Sequence, residues 1–266
     1  MVPPHALGLY EELYGCMHCA AAVCERGVRS FVRSGPAQTI PVSHFGNINS
    51  AKIWLVATNP KGARPCRDSN VGFRPHGFVS RAELTHAQIA ETFDHFSAYF
   101  NRPGRDNFFD GWIEILNGIE LSGRPQTWER GGICCVDLVK CPTEVAWRGV
   151  VTGPDKSLVY GCFAESDPRR YFKRQVQLHG PRVLLFSAGL GSCYSDNRIV
   201  NRDVDLRRLW PKDIKETCTS IWVFGSPSRL SIGLGSANCI KRVETAKIRR
   251  AIQLVIRTWE ARGHGK

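Results

Sequence analysis

Ile53-Trp54-Leu55-Val56-Ala57-Thr58-Asn59-Pro60-Lys61-Gly62 is the stretch that decides the fold. Ile53 to Ala57 is an unbroken apolar run of strand length, the pattern of a parallel strand covered on both faces. Asn59-Pro60 stops it. Pro60 has no N–H and pushes Asn59 towards an extended backbone. Gly62 lets the chain turn away. Ligands bind at the carboxyl ends of strands in open parallel sheets. The stretch therefore predicts Asn59 at the mouth of a crevice with its amide exposed. Taken alone, it also reads as an ordinary strand-terminating turn, because Asn, Pro and Gly all favour turns.

The 266-residue chain is 42% hydrophobic, enough for a sizeable core. It has no apolar run of about eighteen residues, so no membrane span is expected. Met1-Val2-Pro3-Pro4-His5 lacks the basic start and apolar core of a secretory signal. The expected location is the cytoplasm, at the nucleoid in a bacterium. The formal net charge of +12 favours a polyanionic partner, with nucleic acid the first candidate. The 11 cysteines, an odd number, fit a complete disulfide framework poorly and favour metal binding.

Residues 10 to 33 read as a helix with Leu13, Val23, Val28 and Phe31 as apolar positions. Inside lies Cys16-Met17-His18-Cys19, with no strand before it. That context suits half of a metal site better than a thioredoxin-type redox pair. The loop from Ala63 to Phe78 carries Phe73 and Phe78 among Arg64, Arg67 and Arg74. Aromatic rings among arginines suit base stacking and phosphate contact, or the rings simply pin the loop to the core. Thr85-His86-Ala87-Gln88 predicts a capping box, followed by a helix with Ile89, Phe93, Phe96 and Phe100 on its buried face. Asn107 to Ile119 predicts a second helix, ended by Gly123 and Pro125.

Ile133 to Val139 predicts a second strand, entering Lys140-Cys141-Pro142-Thr143. A carboxylate inside this apolar run, Asp137, is costly unless satisfied and marks a candidate site, or else the strand simply ends in water there. Cys162 lies near the start of a helix carrying Tyr171 and Val176. Val183 to Ser187 and Ile221 to Phe224 predict the third and fourth strands. The last helix is expected from Ala237 to Ala261, with Ile248, Ile252, Val255 and Trp259 buried. Strands alternating with helices, with no repeat or linker, predict one α/β domain over residues 1–266.

Three strand ends share one pattern: Ala57-Thr58-Asn59-Pro60, Asp137-Leu138-Val139-Lys140-Cys141-Pro142-Thr143, and Ser226-Pro227-Ser228-Arg229-Leu230-Ser231. In this order they resemble the uracil-DNA glycosylase superfamily. The first is similar to its G-x-N-P water-activating motif, with Ala57 in place of Gly. The second is similar to the base-reading strand, and the third to the H/N-P-S-x-x-S loop that enters the minor groove. Cys16-x-x-Cys19, Cys141 and Cys162 are similar to the ligand set of the iron–sulfur branch. By ligand type, four thiolates suit a [4Fe–4S] cluster or a zinc site; the resemblance favours a structural cluster. Cys141-Pro142-Thr143 mixes that branch with the mismatch-specific branch, whose second motif ends in Arg-Pro-Thr. Ser226 stands where most branches have His, and Asp137 where several have Asn.

The resemblance implies a three-layer α/β/α domain around a central, mostly parallel four-stranded sheet. It implies a monomeric, monofunctional glycosylase that flips uracil or other deaminated bases out of DNA. Asn59 would hold the attacking water, and Ser226 would face the leaving base. Thr58, Phe73 and Asp137 would contact the base, with Phe78 the alternative stacking ring. Ser228, Arg229, Leu230 and Ser231 would engage DNA, with Leu230 or Arg229 as the wedge. An ionised Asp137 would accept from the ring N–H without donating to a carbonyl, which implies relaxed base choice. The loss of His at Ser226 keeps a second reading open, a non-catalytic DNA-binding or damage-sensing module. Hydrolysis of free nucleotides is a third, disfavoured by the basic surface.

Overall fold

The buried run Ile53–Ala57 does form a strand (β1), with all five residues buried. In the computed structural model it lies inside a five-stranded sheet of order β4-β1-β5-β7-β6. The other members are β4 (Ile133–Asp137), β5 (Val183–Phe186), β6 (Ile221–Gly225) and β7 (Leu230–Leu234). β1 and β5 are parallel, with Ile53 beside Val183. β5 and β7 are parallel, with Val183 beside Leu230. β6 runs antiparallel to β7 at the edge, Gly225 beside Leu230. The structure describes residues 1–18, 40–57, 73–138, 140, 141, 162, 169–187, 208–210, 212, 214, 221–234 and 243–263.

The sheet differs from the expected four strands in one respect that bears on function. Ile221–Gly225 is not the next parallel strand after β5. Leu230–Leu234 takes that place, and Pro227-Ser228 form the tight turn between the two. Gly233 makes the packing possible. A Cβ there would lie 2.1 Å from the Trp222 ring, which rests against Phe186 at 5.1 Å between centroids.

The chain divides into two compact units, each built from three stretches, where the sequence predicts one domain. One contains residues 47–57, 106–135 and 180–266. Its long helix α5 (Thr245–Ala261) buries Ile248, Ala251, Ile252, Val255, Ile256 and Trp259, the predicted stripe. Its start at Thr245 lies inside the expected span; 237–242 are outside the described residues. The predicted helix from Asn107 to Ile119 is shorter. A 3-10 turn leads into α3 (Asp110–Leu116), which buries Trp112, Ile115 and Leu116, while Phe108 is 46% exposed. Ile119–Leu121 (β2) and Arg124–Gln126 (β3) then form a hairpin. Ser122 and Gly123, with φ of 52° and 69°, make its two-residue turn.

The other unit contains residues 1–46, 58–105 and 136–179. Helix α1 (Leu7–Tyr14) stops at Gly15, so Cys16 follows a helix instead of lying within one spanning residues 10–33. Helix α2 (His86–Ser97) starts on the predicted capping box. Gln88 N–H donates to Thr85 Oγ1 at 3.3 Å, and Thr85 N–H donates to Gln88 Oε1 at 3.0 Å. Such a cap contributes about 1 kcal/mol. Ile89, Phe93 and Phe96 pack inward. Helix α4 (Tyr171–His179) buries Tyr171, Phe172, Gln175 and Val176. Among the described residues, no helix is long and apolar enough to cross a membrane.

Candidate functional site

The unit containing α1, α2 and α4 gathers most of the candidate chemistry. β4 delivers Asp137 at its last position, 3% exposed. Burial pushes its carboxyl up to about 7, and the nearby Lys140 charge only partly opposes this. The expectation of a fully ionised Asp137 is therefore corrected. Near neutral pH a large share carries a proton, and a carboxylic acid both donates and accepts.

Lys140 is itself buried, at 1% exposure. Its Nζ donates to the backbone carbonyls of Asp137 and of Ser43, the latter at 3.3 Å. Val42 N–H donates back to Lys140 O at 2.7 Å. Ser43 anchors a buried polar chain. Its hydroxyl bonds Tyr14 Oη at 2.7 Å and His44 Nδ1 at 2.8 Å, and His44 Nε2 bonds Ser97 Oγ at 3.0 Å. Burial, then His179 and Lys140, hold His44 well below the usual histidine range, so this is a neutral strut. Through Lys140, the network is tied to the end of β4.

Cys141 follows directly. Cys16 and Cys162 approach it from other parts of the sequence. Burial first, then Cys141 and more weakly Cys16, push the Cys162 thiol up to about 12. Cys141 and Cys16 thus both act on Cys162. Cys16 also touches the Tyr171 side chain, whose hydroxyl donates to Glu12 O at 3.1 Å. Arg81, on the 3-10 turn Arg81–Glu83, donates from Nη1 to Cys16 O at 2.9 Å and approaches Cys141 Sγ at 3.7 Å. Among the described residues, no three His, Cys, Asp or Glu side chains stand at the spacing that would hold a metal ion. Cys19, the expected fourth ligand, lies outside the described residues. The described cysteines are all free thiols. Cys16, Cys141 and Cys162 therefore do not by themselves form a metal-holding group.

Phe73 stacks on His95, centroids 3.6 Å apart and planes 17° apart. Burial, then Arg102, pull His95 down to about 4, so the imidazole is neutral. One face of Phe73 is therefore taken, and a base would have to use the other. Phe78 is half-buried. Thr58 and Asn59 lie outside the described residues.

The third motif is corrected. Ser226, Ser228 and Arg229 belong to the β6–β7 turn, and Leu230 and Ser231 to β7. Leu230 is completely buried and Ser231 2% exposed, so neither can insert into DNA. Ser226 closes the turn. Its N–H donates to Arg229 O at 2.8 Å, its hydroxyl accepts from Arg229 N–H at 3.0 Å, and its carbonyl accepts from Trp259 Nε1 at 2.9 Å. Arg229 is half-buried, its Nε tied to Pro181 O at 3.2 Å. Because β7 is parallel to β5 and β1, this turn sits with Pro181 at the amino edge of the sheet. Ser226 therefore has a structural role in the β6–β7 turn.

Sequence reasoning missed Arg81 and the burial of Lys140. Lys140 carried a signal, a lysine directly after an apolar strand and before a cysteine. Arg81, in the polar stretch Ser80-Arg81-Ala82-Glu83, carried none.

Comparison with known proteins found no match for the chain, either among protein-family models or among curated proteins.

Proposed function

We propose that the chain is a monofunctional DNA glycosylase that removes uracil and related lactam bases. The observation that carries this reading is Asp137, a buried carboxyl held near neutrality at the end of β4, the strand beside β1. A protonated acid can accept from a lactam N–H and donate to its carbonyl, the two contacts an amide would make. A flipped base would stack on the face of Phe73 opposite His95, with Thr58 contacting it. Asn59 would position water at the sugar carbon, a neutral amide sufficing for an oxocarbenium-like transition state. No part of this mechanism uses residues 226–231. The proposal extends to a three-layer α/β/α arrangement and to a monomer acting on DNA in the cytoplasm.

In the same proposal, Cys16, Cys19, Cys141 and Cys162 would hold a [4Fe–4S] cluster, with zinc the alternative occupant. The cluster would supply structural ties between distant segments and no redox step. The test is to incubate the protein with uracil-containing oligonucleotides and cleave with alkali. Abasic product supports the reading. Its absence from single-stranded, U:A and U:G substrates refutes it.

One observation favours a second reading, a DNA-binding module without catalysis. The placement of Ser226 in a turn removes the residue expected to stabilise the leaving base. Tight DNA binding with no abasic product would select it.

A further inference from the structure

We infer that Lys52, Arg182 and Arg229 form a ridge along the amino edge of the sheet that docks the sugar–phosphate backbone of DNA. The inference rests on the DNA partner of the reading above and on none of its chemistry. Ile53 pairs with Val183, and Val183 with Leu230. Each of the three cations stands one position before its strand: Lys52 before β1, Arg182 before β5 and Arg229 before β7. Backbone bonds carry the register outward. Arg182 N–H donates to Lys52 O at 2.9 Å, and Leu230 N–H donates to Arg182 O at 2.8 Å. Residues at matching positions of neighbouring strands project from the same face, and the strands lie about 4.8 Å apart. Three like charges therefore stand side by side, an arrangement that destabilises a sheet unless an anion faces it.

The protein supplies one carboxylate against them. Glu260 Oε1 lies 3.4 Å from Arg182 Nη2, and the Arg182 guanidinium rests over the Trp259 ring at 5.6 Å. One carboxylate against three cations leaves two positive charges. Arg229 gives its Nε to Pro181 O, and burial lowers its guanidinium from the usual arginine value with no carboxylate opposing. Lys52 is exposed, and among the described residues its ammonium has no hydrogen bond or ion pair. Lys52 and Arg229 stand two strand spacings apart, roughly 10 Å. One strand of DNA carries a phosphate about every 3.4 Å of rise, so the row spans about three phosphates of one backbone. A small anion would serve one neighbouring pair of cations, whereas a backbone serves the whole row. Lys52 and Arg229 make the contacts, and Arg182, held by Glu260 and Trp259, adds charge between them.

The experiment measures binding of the full-length protein to a single-stranded oligonucleotide without uracil, over a series of salt concentrations. Wild type is compared with Lys52→Gln, the double variant Lys52→Gln/Arg229→Gln, Arg229→Lys and a control, Arg250→Gln, which removes one charge from the exposed face of α5. The double variant should bind at least tenfold more weakly at low salt. Its slope of log affinity against log salt should shrink by about 0.7 for each cation removed. Arg229→Lys and Arg250→Gln should stay close to wild type. Should the double variant fail to fold, Lys52→Gln alone carries the comparison, with half the change in slope. An unchanged slope in the folded Gln variants, or an equal loss from Arg250→Gln, overturns the ridge. Wild type without measurable affinity overturns it as well, and inorganic phosphate raising the melting temperature of that protein would assign the cations to a free anion instead. Abasic product from a uracil-containing strand, or its absence, bears only on the glycosylase reading.

Discussion

Lys140 donates its ammonium to the backbone carbonyl of Asp137, three residues upstream, while its charge acts on the same residue's carboxyl. The lysine thus pins the end of β4 and tempers the acid it presents. Its second bond, to Ser43 O, ties that end to the Tyr14–Ser43–His44 chain. Two hydrogen bonds from one ammonium therefore hold the backbone beside Asp137.

That placement makes stability depend on pH in a definite direction. The folded protein raises the Asp137 pKa from an ordinary carboxylate value to about 7, so folding favours the protonated form. The contribution is fully present below about pH 4 and is lost as pH rises through about 7. Asp137→Asn should leave the melting temperature nearly unchanged at pH 4. At pH 8 it should stabilise the fold by on the order of 1 kcal/mol or more, raising the melting temperature by at least about 2–4 °C. Calorimetry at both pH values decides it; equal shifts at both would contradict the assignment.

Base reading should follow the same titration. If the protonated acid is the reading form, uracil excision falls as pH rises through about 7. Asp137→Asn should retain excision and flatten that limb of the profile. Hypoxanthine, another lactam, should follow uracil. An Asn variant that keeps the limb removes Asp137 from recognition.

Leu230 gives a prediction opposite to that of a DNA-inserting wedge. Leu230→Ala empties a fully buried site in β7 and should cost about 2–5 kcal/mol. The ratio of activity on duplex to that on single strands should stay constant, because Leu230 lies in the core. Thermal melting beside both activities tests it. A stable variant with activity lost only on duplex would restore the wedge.

Gly233→Ala should destabilise by about 1–3 kcal/mol, since its Cβ would overlap the Trp222 ring. Gly233→Ala combined with Trp222→Leu should recover part of the loss. A denaturation series on the single and double variants measures that coupling.

Much of the frame was legible in the sequence where a pattern was long or a cap was complete. Five consecutive apolar residues marked β1, Thr85 with Gln88 marked the start of α2, and Ile248, Ile252, Val255 and Trp259 marked α5. The hairpin Ile119–Gln126 escaped because three-residue strands are too short to show a period. Gly123 and Pro125 looked like a helix stop, whereas Gly123 shares a two-residue turn with Ser122 and Pro125 lies in β3. β7 escaped because Ser226–Ser231 matched a loop motif, and Leu230-Ser231-Ile232-Gly233-Leu234 mixes polar and glycine positions into a buried strand. Of the site, Asp137 was legible as a carboxylate inside an apolar run, and Cys16-x-x-Cys19 as a pair at metal-ligand spacing. Their supports, Arg81 and the Ser43 network, were not, because long-range contacts leave no local trace.

The central claim is that this chain breaks the glycosidic bond of a flipped uracil. The most direct measurement is alkali-revealed strand cleavage of a uracil-containing single-stranded oligonucleotide, using wild type and Asn59→Ala at matched concentrations. The proposed mechanism predicts abasic product with wild type and at least a hundredfold less with Asn59→Ala, whose affinity for the same oligonucleotide is unchanged. Intact oligonucleotide bound equally well by both proteins would contradict it and leave a DNA-binding module in its place.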